Sequence, residues 1–162
     1  MTRASDVFRE FRDIYPSDPA FEESFSIARE SNNQKSVYIL RALDQEMRRR
    51  EAQGRAAENE PGSLTLEHIL PKNPNQNWAQ LIKDDPAIRE DCTYRLGNMC
   101  LMIASENREA GGAKFNEKKK LYDKSNIGIT KSLAQVAIGN RRAIEERRAQ
   151  MAKLAVTAWR FQ

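Results

Sequence analysis

The amino-acid sequence predicts an α+β fold that is predominantly helical. Most of the chain carries apolar residues at helical spacing, and the clearest helix covers residues 34–52, with apolar positions at Val37, Leu40, Leu43 and Met47. Residues 63–66 instead alternate polar and apolar side chains, as a half-buried strand does. A second apolar stretch, residues 99–101, follows Gly97. We expect it to form a second strand, antiparallel to the first.

Capping residues and helix breakers place the remaining helices. Ser5-Asp6 and Asp18-Pro19 are expected to open the first two, and Tyr15-Pro16-Ser17 separates them. Ser105 is expected to cap a helix that ends at Gly111-Gly112. Further helices are predicted near residues 78–82, at 86–93 and at 115–122. A C-terminal helical region is capped by Thr130, restarts or kinks at Gly139-Asn140 and buries Ile144, Met151, Leu154, Ala155 and Trp159.

The polar residues 58–63 form the clearest internal boundary. We divide the chain into an N-terminal helical scaffold (residues 1–60), a central unit (61–125) and a C-terminal helical region (126–162). At 162 residues we expect these parts to form one compact domain.

Amino-acid composition limits the cellular location of the protein more than it limits the reaction. The net charge of +4 and pI of about 9.2 suit contact with a phosphate backbone, although many helical proteins carry such an excess. No apolar stretch is long enough for a membrane span, and the N-terminus lacks an apolar signal region. Cys92 and Cys100 make neither a disulfide framework nor the paired motif of a structural zinc site. A cytoplasmic setting is therefore expected.

The single histidine of the chain, His68, is the most informative residue. Glu67 precedes it and the apolar turn Ile69-Leu70-Pro71 follows it. Adjacent residues of a strand point to opposite faces, so this carboxylate and this imidazole can serve different partners. Asn98 and Asn107 follow within forty residues.

This order resembles the HNH, or His-Me finger, nucleases. It is most similar to the HNH-type domain at the C-terminus of GmrSD-type modification-dependent restriction enzymes. The similarity rests on Glu67-His68-Ile69-Leu70-Pro71 and Gly97-Asn98-Met99-Cys100-Leu101-Met102, followed by Asn107, Phe115, Lys118 and Tyr122. It covers residues 60–125 well and the helical flanks loosely. The resemblance implies a ββα-metal unit packed among flanking helices.

Phosphodiester hydrolysis needs an activated water and a cation that neutralises charge on the phosphate. The resemblance implies that His68 is the general base and that Asn98 orients it. Glu67 and Asn107 would hold Mg²⁺ or Mn²⁺, which prefer oxygen ligands. Lys118 would contact phosphate. We expect the acid, the imidazole and the amide of Asn107 to converge around one divalent ion that faces solvent.

Each assignment has a structural alternative. A lone histidine can be a structural residue, Asn98 an ordinary turn residue, and Asn107 a helix-start residue bonded to its own backbone. We place Lys118, Lys119 and Lys120 on the exposed side of their helix, where Lys118 could simply be solvated. Weaker candidates for contact with the nucleic-acid backbone are Arg108, Lys114 and Lys119. Arg48, Arg49 and Arg50 are either phosphate contacts or a solvated helix end. Phe115, Tyr122, Trp78 and Trp159 are expected in the core.

The resemblance implies a metal-dependent endonuclease domain that cuts double-stranded DNA, modified or not, in bacterial defence against phage. It also implies an N-terminal nucleotide-hydrolysing domain or subunit as a partner, and no membrane. One alternative is a DNA-binding or regulatory module that is inactive without its partner. Another is an RNase or toxin nuclease using the same site, because no base-stacking platform is evident in the sequence.

Overall fold

The fold is mostly helical around a small two-stranded antiparallel sheet, as the sequence predicts. The computed structural model describes residues 14–51, 63–137 and 139–160. Its helices and strands, in chain order, are α1 (Asp18–Ile27), α2 (Asn33–Glu51), β1 (Leu64–His68), α3 (Ala79–Asp84), α4 (Ile88–Cys92), β2 (Met99–Ile103), α5 (Ala104–Ala110), α6 (Phe115–Lys124), α7 (Gly128–Lys131) and α8 (Arg141–Ala158).

Short 3₁₀ turns lie at Gln76–Trp78, Leu96–Asn98 and Ser132–Gln135. The helix predicted over residues 5–14 falls almost wholly outside the described residues, and so does the polar boundary at 58–63. Among the residues described, no helix has the length and apolar character that a bilayer crossing requires.

The two strands pair from Leu64 opposite Ile103 to His68 opposite Met99. The alternation of side chains gives the sheet two different faces. On one face, Cys100 and Met102 join a core cluster that includes Trp78, Phe115 and Tyr122. On the other, Met99 and Leu101 pack in a second cluster with Leu40 and Leu43 of α2 and Met151 and Ala155 of α8. The sheet is therefore covered on both sides.

Most helix boundaries fall within one or two residues of the prediction. Helix α2 is the predicted 34–52 helix, and Asn140 caps α8 by accepting a hydrogen bond from the backbone N–H of Ala143 at 3.0 Å. The cap of α1 is Ser17 rather than Asp18. Ser105 is not a cap, because α5 follows β2 directly and begins at Ala104.

Thr130 is also not a helix cap, and the prediction was wrong there. It lies inside α7 and is fully buried. Its hydroxyl donates to the carbonyl of Leu101 at 2.6 Å and accepts from the N–H of the same residue at 3.2 Å. Thr130 thus satisfies backbone groups of β2 that β1 does not reach.

Helix α8 contacts elements from the first and the second half of the chain. It packs against α1, α2 and the turn Leu96–Asn98. The buried guanidinium of Arg147 donates to backbone carbonyls of that turn, of β2 and of α7, with acceptors Leu96, Gly97, Met99 and Ile129. The basic end of α2 is paired within its own helix: Arg48 with Asp44, and both Arg49 and Arg50 with Glu46.

Candidate active site

Glu67 and His68 are the last two residues of β1, and the alternation of the strand separates them. Thr65 and Glu67 lie on the face that packs towards α5 and α6, and His68 lies on the face towards α2. The two residues are 5% and 8% exposed. They are mostly buried, whereas we expected them to face solvent.

Lys118 is also buried, which corrects the prediction that it lies on the exposed side of its helix. It is 0% exposed. Its Nζ donates to Oε1 of Glu67 at 2.5 Å and to the carbonyl of His68 at 2.8 Å. The same ammonium lies 5.7 Å from the centre of the Trp78 ring. The physical reason is pairing: a lysine can be buried when a carboxylate and a carbonyl take its protons.

The carboxylate of Glu67 is subject to two opposing effects. Burial raises the pKa of Glu67 above its ordinary value, because a buried charge loses its hydration. The ammonium of Lys118 opposes that rise through its charge and its hydrogen bond. Glu67 is thus a buried acid whose ionised form depends on a cation beside it.

His68 is held in its neutral form. Burial lowers its pKa to about 4, and the positive charges of Lys72 and Lys118 act in the same direction. Within the described part of the chain, its buried Nε2 has no hydrogen-bond partner. At neutral pH the imidazole therefore carries no positive charge and can accept a proton.

Asn98 holds the turn that follows His68. Its Oδ1 accepts from the N–H of Leu70 at 2.8 Å, and its Nδ2 donates to the carbonyls of Leu70 at 3.0 Å and Thr93 at 3.2 Å. Its own carbonyl accepts from the N–H of Ile69 at 2.8 Å. Asn98 is fully buried, so these bonds replace water completely. This arrangement fixes the residues directly after the imidazole.

Asn107 reaches β1 from α5. Its Nδ2 donates to Oγ1 of Thr65 at 2.8 Å and to the carbonyl of Leu66 at 2.9 Å. The alternative that the side chain of Asn107 bonds its own backbone is wrong, because its amide bonds β1 instead. Because Thr65 and Glu67 share one face of β1, Asn107 and Glu67 are brought to the same side of the strand.

The donor set on this face fits a hard divalent cation. One oxygen of Glu67 is bonded to Lys118, and Oδ1 of Asn107 accepts no hydrogen bond from any residue that the structure describes. The described residues contain no group of three or more His, Cys, Asp or Glu that could hold a metal. Two oxygen donors match Mg²⁺, which keeps several waters, better than they match zinc.

The three residues expected to contact a nucleic-acid backbone differ in exposure. Arg108 and Lys114 are exposed, and Lys119 is half-buried. The sequence analysis missed Lys72, which follows the turn after His68. Its Nζ bonds Oδ1 of Asn33 at 3.3 Å and lies 5.5 Å from the centre of the Tyr94 ring. Its position four residues after the histidine was the available signal.

The comparison with family models decides the classification. A model described as the C-terminal domain of GmrSD restriction endonucleases matches residues 15–154. The chain belongs to this family.

The GmrSD match confirms the resemblance found in the sequence and extends it to the flanking helices, which the motifs alone matched loosely. It assigns the chain to a nuclease domain family of restriction enzymes. A comparison with curated proteins found no match. The sequence analysis also missed Thr65, which lies two positions before Glu67 and whose hydroxyl accepts a hydrogen bond from the side chain of Asn107.

Proposed function

We propose that this GmrSD C-terminal domain is a metal-dependent HNH endonuclease that hydrolyses DNA phosphodiester bonds. It would serve as the cleavage module of a bacterial anti-phage restriction enzyme. The observation that carries the proposal is the attachment of Asn107 to β1 on the face of Glu67. The neutral His68 is the next residue of the strand and lies on its other face. In this proposal β1, β2 and α5 form the ββα-metal unit.

The residues have separate roles. Glu67 and Asn107 would hold Mg²⁺ or Mn²⁺, which would supply a positive charge to stabilise the phosphate in the transition state. His68 accepts a proton from water at its imidazole. A pKa of about 4 makes it a weak base, and a bound phosphodiester would raise that pKa because its charge is negative. Asn98 keeps the turn beside the imidazole rigid.

Lys118 takes a different role from the one first expected. Its ammonium is bonded to Glu67 and to the carbonyl of His68, so it orients both residues. Phosphate contact falls instead to the exposed Arg108 and Lys114, with the half-buried Lys119 and Lys72 as further candidates. Phosphate contacts do not read sequence, so we expect weak sequence preference from this domain alone.

The test is cleavage of supercoiled plasmid with Mg²⁺ or Mn²⁺. The wild-type domain is expected to give nicked product, and His68→Ala and Asn107→Ala are expected to give none. Asn116→Ala, an exposed residue of α6, is the matched control and should cut like wild type. Circular dichroism checks that each variant is folded. Equal cutting by wild type and His68→Ala would remove the catalytic assignment. An RNA substrate of matched sequence, digested in parallel, tests the alternative that the domain is an RNase.

One observation favours a second candidate, a regulatory or DNA-binding module that is inactive without its partner. Glu67, His68 and Lys118 are mostly buried, and the ammonium of Lys118 is engaged by the carboxylate of Glu67 and the carbonyl of His68. The family is a C-terminal domain, which supports an N-terminal nucleotide-hydrolysing partner. This candidate predicts salt-sensitive DNA binding without cleavage at every metal concentration, and cutting only when the partner is added.

A further inference from the structure

We propose that Thr65 is a positioning residue that fixes the side-chain amide of Asn107 with its oxygen available to the metal. This inference rests on the proposed function, in which Asn107 is a metal ligand. It concerns the orientation of the amide, because only Oδ1 can coordinate a hard cation and Nδ2 cannot.

The hydroxyl of Thr65 has only one direction in which to donate. It lies 2.9 Å from the carbonyl oxygen of Met102, and a carbonyl can only accept. The single proton of the hydroxyl is therefore used on β2. Towards Asn107 the oxygen can only accept, so the amide must present its nitrogen at 2.8 Å.

A second hydrogen-bond acceptor also favours this orientation of the amide. The carbonyl of Leu66 also faces the amide, and Nδ2 donates to it at 2.9 Å. Both protons of the amide nitrogen are thus engaged by β1. A flipped amide would put its oxygen against two acceptors and lose both hydrogen bonds, which makes that orientation unfavourable. Oδ1 is left without an internal donor in the described residues.

Thr65 also links the two proposed ligands mechanically. It precedes Glu67 by two residues, so both side chains stand on one face of β1. Its bond to Met102 spans the two strands, and its bond to Asn107 reaches α5. The spacing between the carboxylate and the amide therefore depends on this hydroxyl together with the carbonyl of Leu66. Partners of this kind typically change metal affinity by about 10- to 100-fold when removed.

The experiment measures Mn²⁺ binding by titration calorimetry and the side-chain amide of Asn107 by NMR. Thr65→Val removes the hydroxyl and keeps the shape, and Thr65→Ser keeps the hydroxyl. Because Leu66 still holds the amide, we expect Thr65→Val to weaken Mn²⁺ binding about 10-fold, the lower end of that range. It should also speed hydrogen exchange at the Asn107 amide. Thr65→Ser should bind within about twofold of wild type.

Thr130→Val is the matched control, because its hydroxyl also bonds the backbone of β2, but at Leu101 and without a contact to Asn107. It should lower stability without changing Mn²⁺ affinity. Thr65→Ala replaces Thr65→Val if the latter does not fold. Unchanged Mn²⁺ affinity in the folded Thr65 variant, with Asn107→Ala defective, overturns the inference and leaves the proposed function standing. Unchanged affinity in Asn107→Ala overturns both.

Discussion

Nζ of Lys118 lies 2.5 Å from Oε1 of Glu67, and the two side chains form an almost fully buried ion pair. Replacing one partner of a buried pair leaves an uncompensated charge, which costs about 3–5 kcal/mol. We therefore expect Lys118→Met to lower the free energy of unfolding by about 3–5 kcal/mol, measured by urea denaturation.

The matched control is Lys120→Met on the same helix. Lys120 pairs with Glu117 at 3.0 Å, but its side chain is 68% exposed. Exposed pairs contribute about 0–1 kcal/mol, so this variant should unfold almost like wild type. Equal losses in the two variants would contradict the buried pair.

The single histidine makes its protonation directly observable. We expect the imidazole proton resonances of His68 to titrate with a pKa of about 4 rather than the ordinary 6.5, because burial disfavours the charged form. The measurement is a one-dimensional NMR titration, and the unfolded chain in urea is the control. A folded-state pKa near 6.5 would contradict the buried, neutral imidazole.

The same shift predicts a pH dependence of stability. Between pH 4 and 6.5 the unfolded chain binds a proton at His68 and the folded chain does not. The contribution of His68 is therefore complete above pH 6.5, is lost as the pH falls towards 4, and amounts to about 3 kcal/mol. The raised pKa of Glu67 changes the free energy of unfolding in the opposite direction as the pH falls. The contribution of His68 is therefore measured as the difference between wild type and His68→Gln in the pH dependence of unfolding.

Asn98→Ala should destabilise the fold strongly. It leaves the N–H and carbonyl of Leu70 and the carbonyl of Thr93 without a partner in a fully buried position. Each unsatisfied group costs about 1–3 kcal/mol, and we expect a total loss of about 3 kcal/mol after relaxation. Asn116→Ala, at an exposed position, should change the unfolding free energy by less than about 0.5 kcal/mol. Similar values for the two variants would contradict the role of Asn98.

Gly97→Ala should disturb the contact between the Leu96–Asn98 turn and α8. A Cβ at Gly97 would lie 2.2 Å from the carbonyl oxygen of Ile144 and 2.9 Å from Cβ of Arg148. Backbone cannot move aside cheaply, so we expect a loss of about 3 kcal/mol. At Gly112 the nearest atom is Nδ2 of Asn75 at 2.6 Å, the end of a flexible side chain. Gly112→Ala should therefore cost much less in the same denaturation series.

If the exposed basic residues of α5 and of the segment before α6 follow the DNA backbone, the salt dependence of binding reports it. Arg108→Gln and Lys114→Gln should each lower the slope of log K against log salt by about one, for any DNA sequence. Lys153→Gln, an exposed lysine of α8, is the control and should leave the slope unchanged. Fluorescence anisotropy with labelled duplexes measures the slope. An unchanged slope in the Arg108 and Lys114 variants would move the DNA interface elsewhere.

Local patterns were sufficient for the strands and most helices. The alternation before Glu67, the Gly97 turn and the Gly111 helix end each depend on neighbouring residues, and all three were predicted correctly. Thr130 was misassigned because its partner, Leu101, lies 29 residues away. A capping rule considers only the adjacent backbone and does not detect such a partner.

The burial of Lys118 could be predicted in part from helical spacing in the sequence. Phe115, Lys118 and Tyr122 follow one another at steps of three and four, which places all three on one face of α6. Composition misled there, because Lys119 and Lys120 suggested a solvated basic face. The partner that makes the burial tolerable, Glu67, lies on a different element and is 51 residues away. No rule of helical spacing supplies that information.

Arg147 connects α8 to the turn Leu96–Asn98 in the middle of the chain. Its guanidinium, whose pKa burial lowers to about 10, is still charged at neutral pH and donates to carbonyls of the turn that contains Asn98. A fragment trimmed to residues 61–125, where the motifs lie, would leave those carbonyls facing an empty groove. We therefore expect the smallest fragment that folds on its own to extend through α8, so that fusion junctions belong beyond residue 158 rather than after α6.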